Sequence, residues 1–265
     1  LLQESLRTLG VEVKLRNLEF NIYRQERTDR RFHGFVGAFR LDPDPDCYDF
    51  WHSSQIGGDG LNYAGYSDPE VDALCDAARK VLEKKGAAGV DQQSVTDFAE
   101  HEREEIRSLH EELREGRYRP WPVRRVWIPK PGSQEQRPLG IPTVRDRVVQ
   151  TALVHVIEPI LDHTFHERSF GFRRGRGCHD ALRVVEEKLE AGYVYVVDAD
   201  LKSYFDTIPK DRLLAMVSEQ ISDRRVLSLI KSYLDQSIME ELRTWTPESG
   251  VPQGAVLSPV LANLY

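Results

Sequence analysis

The sequence predicts an α+β protein in which helices and short strands come from different stretches of the chain. Apolar residues recur at helical spacing over residues 143–160 and again over residues 212–236. Two short apolar runs around a turn, residues 118–130 and 137–142, predict a β-hairpin, and the β-branched and aromatic run 193–197 predicts a buried strand. Glycine, proline and aspartate between these runs predict turns.

Composition sets the broad class of the protein. The 265 residues suffice for two modest domains, and 30% charged with 40% hydrophobic residues is an ordinary soluble profile. No apolar run reaches the roughly 18 residues of a membrane span, so we expect none. Three scattered cysteines without metal-ligand spacing predict unpaired thiols in a reducing compartment, which favours a cytoplasmic location.

The charge is unevenly distributed along the chain. A net charge of −7 argues weakly against a nucleic-acid binder. However, residues 117–147 carry eight basic residues and only two acidic ones. A local basic face matters more to a polyanion than the sum over the whole chain, so a nucleic-acid partner stays open.

The first segment, residues 1–78, has its own pattern of elements. We expect a short helix over residues 2–9, strands over residues 11–15 and 32–39, and a turn-rich run at residues 41–46. A further helix should begin at residues 67–69, because Ser67 or Asp68 can cap it and Pro69 then occupies its first turn.

Short motifs in this first segment resemble, in the same order, the C-terminal lobe of extracytoplasmic solute-binding proteins that serve oligopeptide and dipeptide ABC transporters. They lie at residues 9–13, 42–45, 51–54, 62–66 and 68–72. The resemblance implies an α/β lobe fragment over residues 1–78. Peptide capture by Trp51, Tyr63 and Tyr66 is the functional interpretation. A cleft needs both walls to bury its ligand, so we expect an orphaned fragment without a peptide ligand.

Residues 79–116 are predicted to join this segment to the next. Gly86 and Gly89 predict a sharp loop; a phosphate-binding loop is the alternative, but no Lys-Ser/Thr pair follows it. Apolar residues at helical spacing predict a helix over residues 94–115, which Gly116 ends. The Glu and Arg residues between them predict a solvated face, so we assign no chemistry to it.

Basic residues then concentrate in three places. Lys130 and Arg137 lie on the two arms of the predicted hairpin and should face one concave region, where cations can neutralise a triphosphate. Ordinary exposed basic residues are the alternative. The remaining candidates for phosphate contacts lie in the hairpin, at the start of the next helix and in the Gly-rich loop 169–177: Arg124, Arg125, Arg145, Arg147, Arg173, Arg174 and Arg176.

The rest of the chain is organised around residues 193–206. The predicted strand would deliver Asp200 at a rigid strand end, and a carboxylate there suits a hard divalent cation such as Mg²⁺. Helix capping or an ion pair is the alternative role for a lone aspartate. Phe205 follows where the chain can turn back over whatever the metal binds. Downstream, residues 249–259 predict a tight turn that presents the amide of Gln253.

These stretches resemble reverse transcriptases encoded by group II introns. Residues 193–206 are similar to motif A and residues 249–259 to motif B, while the loop 169–177 follows the pattern Ser-Tyr-Gly-Phe-Arg-Pro-Gly-Arg with Phe170 and Arg174 as departures. The resemblance implies a partial right-hand polymerase. Residues 79–116 lead into the fingers, and residues 117–265 form the fingers and part of the palm.

The same resemblance implies a role for each candidate residue. The Asp200 carboxylate and the Leu201 carbonyl would bind Mg²⁺, Lys130 and Arg137 the triphosphate, and Phe205 would crowd the sugar 2′ position while Gln253 lies near the incoming base pair. The implied activity is RNA-directed DNA polymerisation together with an RNA-binding, maturase role. The implied partners are template or intron RNA, a DNA primer and deoxynucleoside triphosphates.

The family's Tyr-x-Asp-Asp motif does not occur within the 265 residues. We therefore expect this chain alone to lack polymerase activity. Three further interpretations stay open: a peptide-receptor fragment of an ABC transporter, a non-catalytic binder of intron RNA, and a reverse transcriptase of the retron or CRISPR-associated kind. Replacement of Asp200 by alanine would spare RNA binding but not polymerisation by a full-length parent.

Overall fold

The computed structural model describes residues 47–56, 62, 66–130, 132 and 134–265. The elements predicted over residues 2–9, 11–15, 32–39 and 41–46 lie outside these residues. Within them the helices are α1 (Cys47–Trp51), α2 (Pro69–Glu83), α3 (Val95–Glu100), α4 (Glu102–Arg114), α5 (Val144–Leu161), α6 (Cys178–Glu190), α7 (Tyr204–Thr207), α8 (Lys210–Gln220), α9 (Arg224–Leu234) and α10 (Ser258–Leu264). The strands are β1 (Val123–Pro129), β2 (Gln136–Ile141), β3 (Ile238–Glu240) and β4 (Arg243–Trp245).

Helix α5 is the central element of the core. Thr143 caps it by accepting a hydrogen bond from the Asp146 amide, so the helix begins where the sequence predicted. Its buried residues include Val148, Leu153 and Ile157. Helices α2, α4 and α10 all contact α5, and one continuous apolar cluster links them to α8 and α9. A hydrophobic core of this kind favours a single cooperative unit.

Helix α2 begins where the sequence predicted. The Asp68 carboxylate accepts hydrogen bonds from the Glu70 and Val71 amides, and Pro69 occupies the first helical position. The helix then runs without a break past residues 78 and 79, the predicted boundary between the first segment and the join. Its apolar side packs on α5, so one helix connects the two sides of that boundary.

The predicted helix over residues 94–115 is two helices. Ser94 and Asp97 form a capping box at the start of α3, and His101 leaves helical geometry before α4 begins. Gly116 ends α4 with a φ of +68°, a conformation that favours glycine. The stretch predicted as one helix over residues 212–236 is likewise divided into α8 and α9, and Asp223 caps the second.

The four strands within the described residues form one sheet with the order β2-β1-β3-β4. The predicted hairpin is confirmed: β1 and β2 pair antiparallel, with Ile128 opposite Arg137. Strand β3 pairs parallel to β1, with Val123 opposite Ile238, and β4 returns antiparallel to β3. No helix among the described residues is long and apolar enough to cross a membrane.

The predicted buried strand over residues 193–197 is wrong. These residues form no strand, and all five side chains are exposed, Tyr195 at 95%. The apolar residues occupy both faces of the run, so a strand here needs cover on both sides and a hydrogen-bonding neighbour. Within the part of the chain that the structure describes, neither is present.

Candidate functional site

The segment after Asp200 turns sharply into the core. Ser203 adopts a left-handed conformation with φ +54°, and the short helix α7 follows it. The Tyr204 hydroxyl donates a hydrogen bond to the Ala262 carbonyl at 2.9 Å, while Phe205 packs against the core edge-on to Tyr204. Asp200 and Leu201 precede this turn and are exposed.

The loop containing Gln253 holds this segment in place through its backbone. The Val251 amide donates to the Phe205 carbonyl at 2.8 Å, and the Gly250 amide donates to the Ile208 carbonyl at 2.8 Å. The Ser249 hydroxyl also donates to the Asp206 carbonyl. Gly250 has a φ of +88°, and a Cβ at this position would lie 2.8 Å from the Phe205 oxygen. Only glycine fits so close an approach.

The same loop also fixes the base of the hairpin. The Gly140 amide donates to the Gln253 carbonyl at 2.7 Å. The Leu257 amide donates to the side chain of Gln150 on α5. This loop, residues 249–259, therefore joins two other stretches that were predicted separately, the hairpin and residues 193–206. Between them lies a cleft of about 290 Å³ lined by the loop, β1 and β3, together with Asp206 and Trp245.

The two hairpin cations predicted to act together share one face. Lys130 extends the β1–β2 register because its amide donates to the Glu135 carbonyl. It therefore lies on the same side as Ile128 and the directly opposite Arg137. The Lys130 ammonium contacts the Glu135 carboxylate at 2.7 Å, which lowers the pKa of Glu135. Both side chains of this pair are exposed, so a polyanion can displace Glu135.

Three of the predicted phosphate-binding arginines make contacts within the chain. Arg124 donates twice to the Ala88 carbonyl, and Arg147 donates to the Ala87 carbonyl at 2.9 Å. Arg145 bridges Glu105 and Glu112 on α4 at 2.6 and 2.7 Å. Burial lowers the pKa of Arg145, but the two carboxylates outweigh it and leave the pKa raised. These arginines tie the loop 84–92 and α4 to the fold.

The loop 169–177 separates its three arginines. The Arg173 side chain is buried, pairs with Asp162 at 2.7 and 3.0 Å, and donates to the His166 and Ser169 carbonyls. The hydrogen bond from Arg173 lowers the pKa of Asp162. Arg174 is 70% exposed and lies 3.9 Å from Glu158, while Arg176 donates to the Glu167 carbonyl. Arg174 and Arg176 are the cations that this loop presents outward.

Arg125 occupies a different environment. Its guanidinium lies over the rings of Trp127 at 5.8 Å and Trp245 at 5.0 Å, and it lines the cleft described above. Trp245 was not predicted as a site residue. Arg243, Thr244 and Trp245 form a short strand in which all three residues are exposed, and this run has no apolar–polar alternation that would indicate a strand.

A buried polar network was also missed. The Tyr118 hydroxyl donates to the Asp146 carboxylate and accepts from the Tyr233 hydroxyl at 2.7 Å, while the Trp121 amide donates to the other carboxylate oxygen. Burial raises the pKa of Asp146 to about 6. The network joins α5, α9 and the entry to β1, so it positions the hairpin relative to the core.

Two of the three aromatic residues proposed for peptide capture, Trp51 and Tyr66, pack against each other. Trp51 contacts Tyr66 edge-to-face at 5.8 Å, and the Arg107 guanidinium lies over the Trp51 ring. Asn62 donates to the carbonyls of Trp51 and Tyr66. Tyr63 lies outside the described residues.

One further group of side chains has metal-ligand chemistry. Asp68, Glu70 and His110 bring ligand atoms within 4.8 Å of one another. Asp68 already caps α2, and His110 lies 3.6 and 3.4 Å from the two carboxylates. Helix capping by Asp68 and the contacts of His110 with the two carboxylates account for this arrangement.

Known proteins share these stretches. A family model described as "Reverse transcriptase (RNA-dependent DNA polymerase)" matches residues 128–265, just over half of the chain. Protein YkfC of Escherichia coli (strain K12) is 40% identical over 197 residues, which are 72% of this chain and 51% of that protein. Group II intron-encoded protein LtrA of Lactococcus lactis subsp. cremoris is 36% identical over 191 residues, 71% of this chain and 31% of that protein.

An uncharacterised 91 kDa protein in the cob intron of Schizosaccharomyces pombe is 41% identical over 144 residues, 54% of this chain and 18% of that protein. The chain thus spans about half the length of YkfC and about a third of LtrA. The family resemblance predicted from motifs A and B is confirmed. The chain belongs to the reverse transcriptase family, with its domain over residues 128–265 and group II intron-encoded proteins among its homologues.

Proposed function

We propose that the chain supplies the fingers and part of the palm of an RNA-directed DNA polymerase of the group II intron type, which also binds intron RNA as a maturase. One observation carries this proposal: the loop 249–259 is hydrogen-bonded both to Phe205 and to the base of the cationic hairpin. The backbones of the hairpin base and of the Phe205 segment are therefore both joined to this loop. The intron-encoded relatives support the same class of activity.

In this proposal the hairpin and the loop bind the incoming deoxynucleoside triphosphate. Lys130 and Arg137, on one face of the hairpin, neutralise the triphosphate and the charge that develops on the leaving pyrophosphate. Phe205, whose backbone is fixed by Val251, crowds the sugar 2′ position. Gln253 lies beside the incoming base pair. Preorganised side chains of this kind raise selectivity because little ordering remains to be done on binding.

Asp200 and the Leu201 carbonyl fit a site for Mg²⁺. The Asp200 side chain is exposed, and no group in the described part of the chain donates a hydrogen bond to it. Mg²⁺ in such enzymes takes one or two protein carboxylates together with substrate phosphates and water. When bound, divalent ions would supply activation of the primer 3′-hydroxyl and stabilisation of the leaving oxygens.

The basic residues divide between two tasks in this proposal. Arg174 and Arg176 contact the phosphates of an RNA template or intron RNA, and the DNA primer lies along the palm. Arg124, Arg145, Arg147 and Arg173 hold the surface in shape, since these four side chains are bound within the chain and at least partly buried, whereas Arg174 and Arg176 are exposed. We place this activity in the cytoplasm, and we retain residues 1–78 as a solute-binding lobe fragment without a peptide ligand.

The test is the affinity of the full chain for a structured RNA over a salt series from about 50 to 200 mM. We expect binding that weakens steeply with salt. Replacement of Arg174 and Arg176 by alanine should lower the affinity and reduce the salt slope by about one for each phosphate that the variant no longer neutralises. Arg224→Ala, an exposed arginine at the start of α9, is the matched control and should change neither.

Arg173→Ala separates a direct role in binding from a structural one. Because Arg173 is bound to Asp162, we expect Arg173→Ala to lower the free energy of unfolding, and with it the midpoint of urea unfolding. Arg174→Ala should change the free energy of unfolding by less than about 0.5 kcal/mol. Weak binding that does not depend on salt would mean that the chain is not a nucleic-acid-binding protein, and the proposal would then be wrong.

A further inference from the structure

One face of the four-stranded sheet carries an unusual set of side chains. The strand register places Arg125 and Trp127 of β1, Ile238 and Glu240 of β3, and Trp245 of β4 on the same side. On β2 the residues opposite Arg125 and Trp127 are Gly140 and Pro138, which have little or no side chain to cover them. The aromatic rings on this face therefore remain accessible from solvent.

The two tryptophans are held in place before any ligand arrives. Trp127 is 46% exposed and Trp245 is 37% exposed. The Trp127 indole N–H donates to the Glu240 carboxylate at 2.6 Å, and the Arg125 guanidinium lies over both rings. Ring orientation is thus fixed by a hydrogen bond and by cation–π contacts, while part of each ring still faces outward. Fixed, exposed rings cost little entropy on binding.

The shape and charge of the adjoining cleft select the kind of ligand. Trp245 and Arg125 line the cleft together with the carboxylates of Asp206 and Glu248. The two carboxylates repel phosphate, so a duplex with its two charged backbones is disfavoured there. An unpaired base is flat and neutral and can stack on the rings. Its N–H groups can also donate hydrogen bonds to the carboxylates. Arg243, on the same face as Trp245 and exposed, can contact a phosphate outside the cleft.

We propose that this Trp127–Arg125–Trp245 face binds single-stranded nucleic acid by stacking its unpaired bases, at the edge of the cleft formed with the loop 249–259. The proposal rests on the proposed function in one respect, since the strand that it holds is the template before it pairs. It adds a contact that depends on aromatic rings and not on phosphate charge. Stacking of this kind tolerates any base sequence.

The experiment measures binding of the full chain to single-stranded RNA and DNA homopolymers of equal length, by affinity and by quenching of tryptophan fluorescence. We expect Trp245→Ala and Trp127→Ala each to weaken binding about tenfold or more. Trp245→Phe keeps a ring and should stay within about threefold of the wild type. Trp121→Ala is the matched control, because Trp121 is 53% exposed but lines a different pocket, with Tyr118 and Arg145, and this variant should bind as the wild type does.

The outcomes separate the two proposals. If the wild type binds structured RNA with a steep salt dependence, but Trp245→Ala and Trp127→Ala bind single strands as tightly as it does, the stacking proposal is overturned and the proposed function stands. If the wild type binds no nucleic acid at all, both the proposed function and the stacking proposal are wrong. Duplex RNA bound more tightly than single strands, or a dimer of the chain that Trp245→Ala abolishes, also overturns the stacking proposal. Where Trp245→Ala fails to fold, by circular dichroism, Trp127→Ala decides the matter.

Discussion

At the residue scale, Asp146 shows how burial changes the behaviour of one carboxyl group. The side chain is fully buried, where it accepts hydrogen bonds from Tyr118 and from the Trp121 amide. These hydrogen bonds favour the ionised form, but the loss of hydration outweighs them and raises the pKa of Asp146 to about 6. An aspartate in an unfolded chain has a pKa near 3.9, so folding favours the protonated form of this group.

This difference predicts a dependence of stability on pH. Because the folded pKa is raised, the stabilisation is fully present below pH ~4 and is lost as the pH rises through about 6, by roughly 3 kcal/mol in all. Asp146→Asn cannot titrate. The free energy of unfolding of the wild type, measured in urea relative to Asp146→Asn, should therefore fall by that amount between pH ~4 and pH ~8.

Asp162 and Asp223 have a lowered pKa in the folded protein, so they add stability that is lost as the pH falls through that pKa. They are present in both proteins, so their contribution cancels in the comparison. A difference between wild type and Asp146→Asn that stays constant over this pH range would show that Asp146 is ionised in the folded protein throughout.

The arginines of residues 169–177 show what the sequence determines about single residues. Arg173, Arg174 and Arg176 have the same chemistry and similar neighbours, and the sequence predicted one role for all three. The structure divides them because Asp162, whose position depends on the end of α5, lies within reach of Arg173 alone among them. Residue types could be predicted from the sequence, but ion-pair partners depend on packing between elements that are distant in the chain.

At the scale of elements, the loop 249–259 joins parts that the sequence described separately. Gly254 adopts φ +98°, and a Cβ there would lie 2.6 Å from both the Gly140 oxygen and a Leu139 side-chain atom. We expect Gly254→Ala to lower the free energy of unfolding by about 2–5 kcal/mol, because it adds a clash to the strain of a positive φ. Urea unfolding of the variant and of the wild type measures this difference in the free energy of unfolding.

The control for Gly254→Ala separates strain from close packing. Gly192 has a similar φ of +91°, but nothing lies within 4 Å of a Cβ placed on it. Gly192→Ala should therefore cost only the backbone strain, about 1–2 kcal/mol. If the two variants lose the same stability, the loop does not press against the hairpin, and its link to Gly140 is weaker than the structure indicates.

Local signals predicted helices better than strands. The helix starts predicted near residues 68, 94 and 143 are confirmed, and each has a capping side chain, which acts within three residues of itself. The hairpin was predictable for the same reason, since its strands are joined by a short turn. The strand predicted over residues 193–197 does not form. Its β propensity reflects fit to a neighbouring strand, which the described residues do not provide. The parallel pairing of β3 with β1 likewise joins parts of the chain far apart in sequence.

At the scale of the whole molecule, the predicted boundary between residues 78 and 79 falls inside one helix. Helix α2 buries Val71, Leu74, Cys75 and Ala78 in the core cluster that also contains Val149 and Leu153 of α5. Residues 69–78 of the helix were assigned to a solute-binding lobe and residues 79–83 to the join that leads into the fingers. In the fold both parts form one apolar face against α5.

We therefore expect a chain that begins at residue 66, which retains Asp68 and all of α2, to unfold at a higher urea concentration than a chain that begins at residue 79. A chain that begins at residue 79 should be destabilised by about 3–6 kcal/mol from the loss of Val71 and Leu74 alone, because α5 is left uncovered. That loss is a large part of the roughly 5–15 kcal/mol that stabilises a typical domain. If the two truncated chains are equally stable, the packing of α2 on α5 contributes little. If the chain that begins at residue 79 is the less stable of the two, residues before the predicted boundary form part of the core that contains α5.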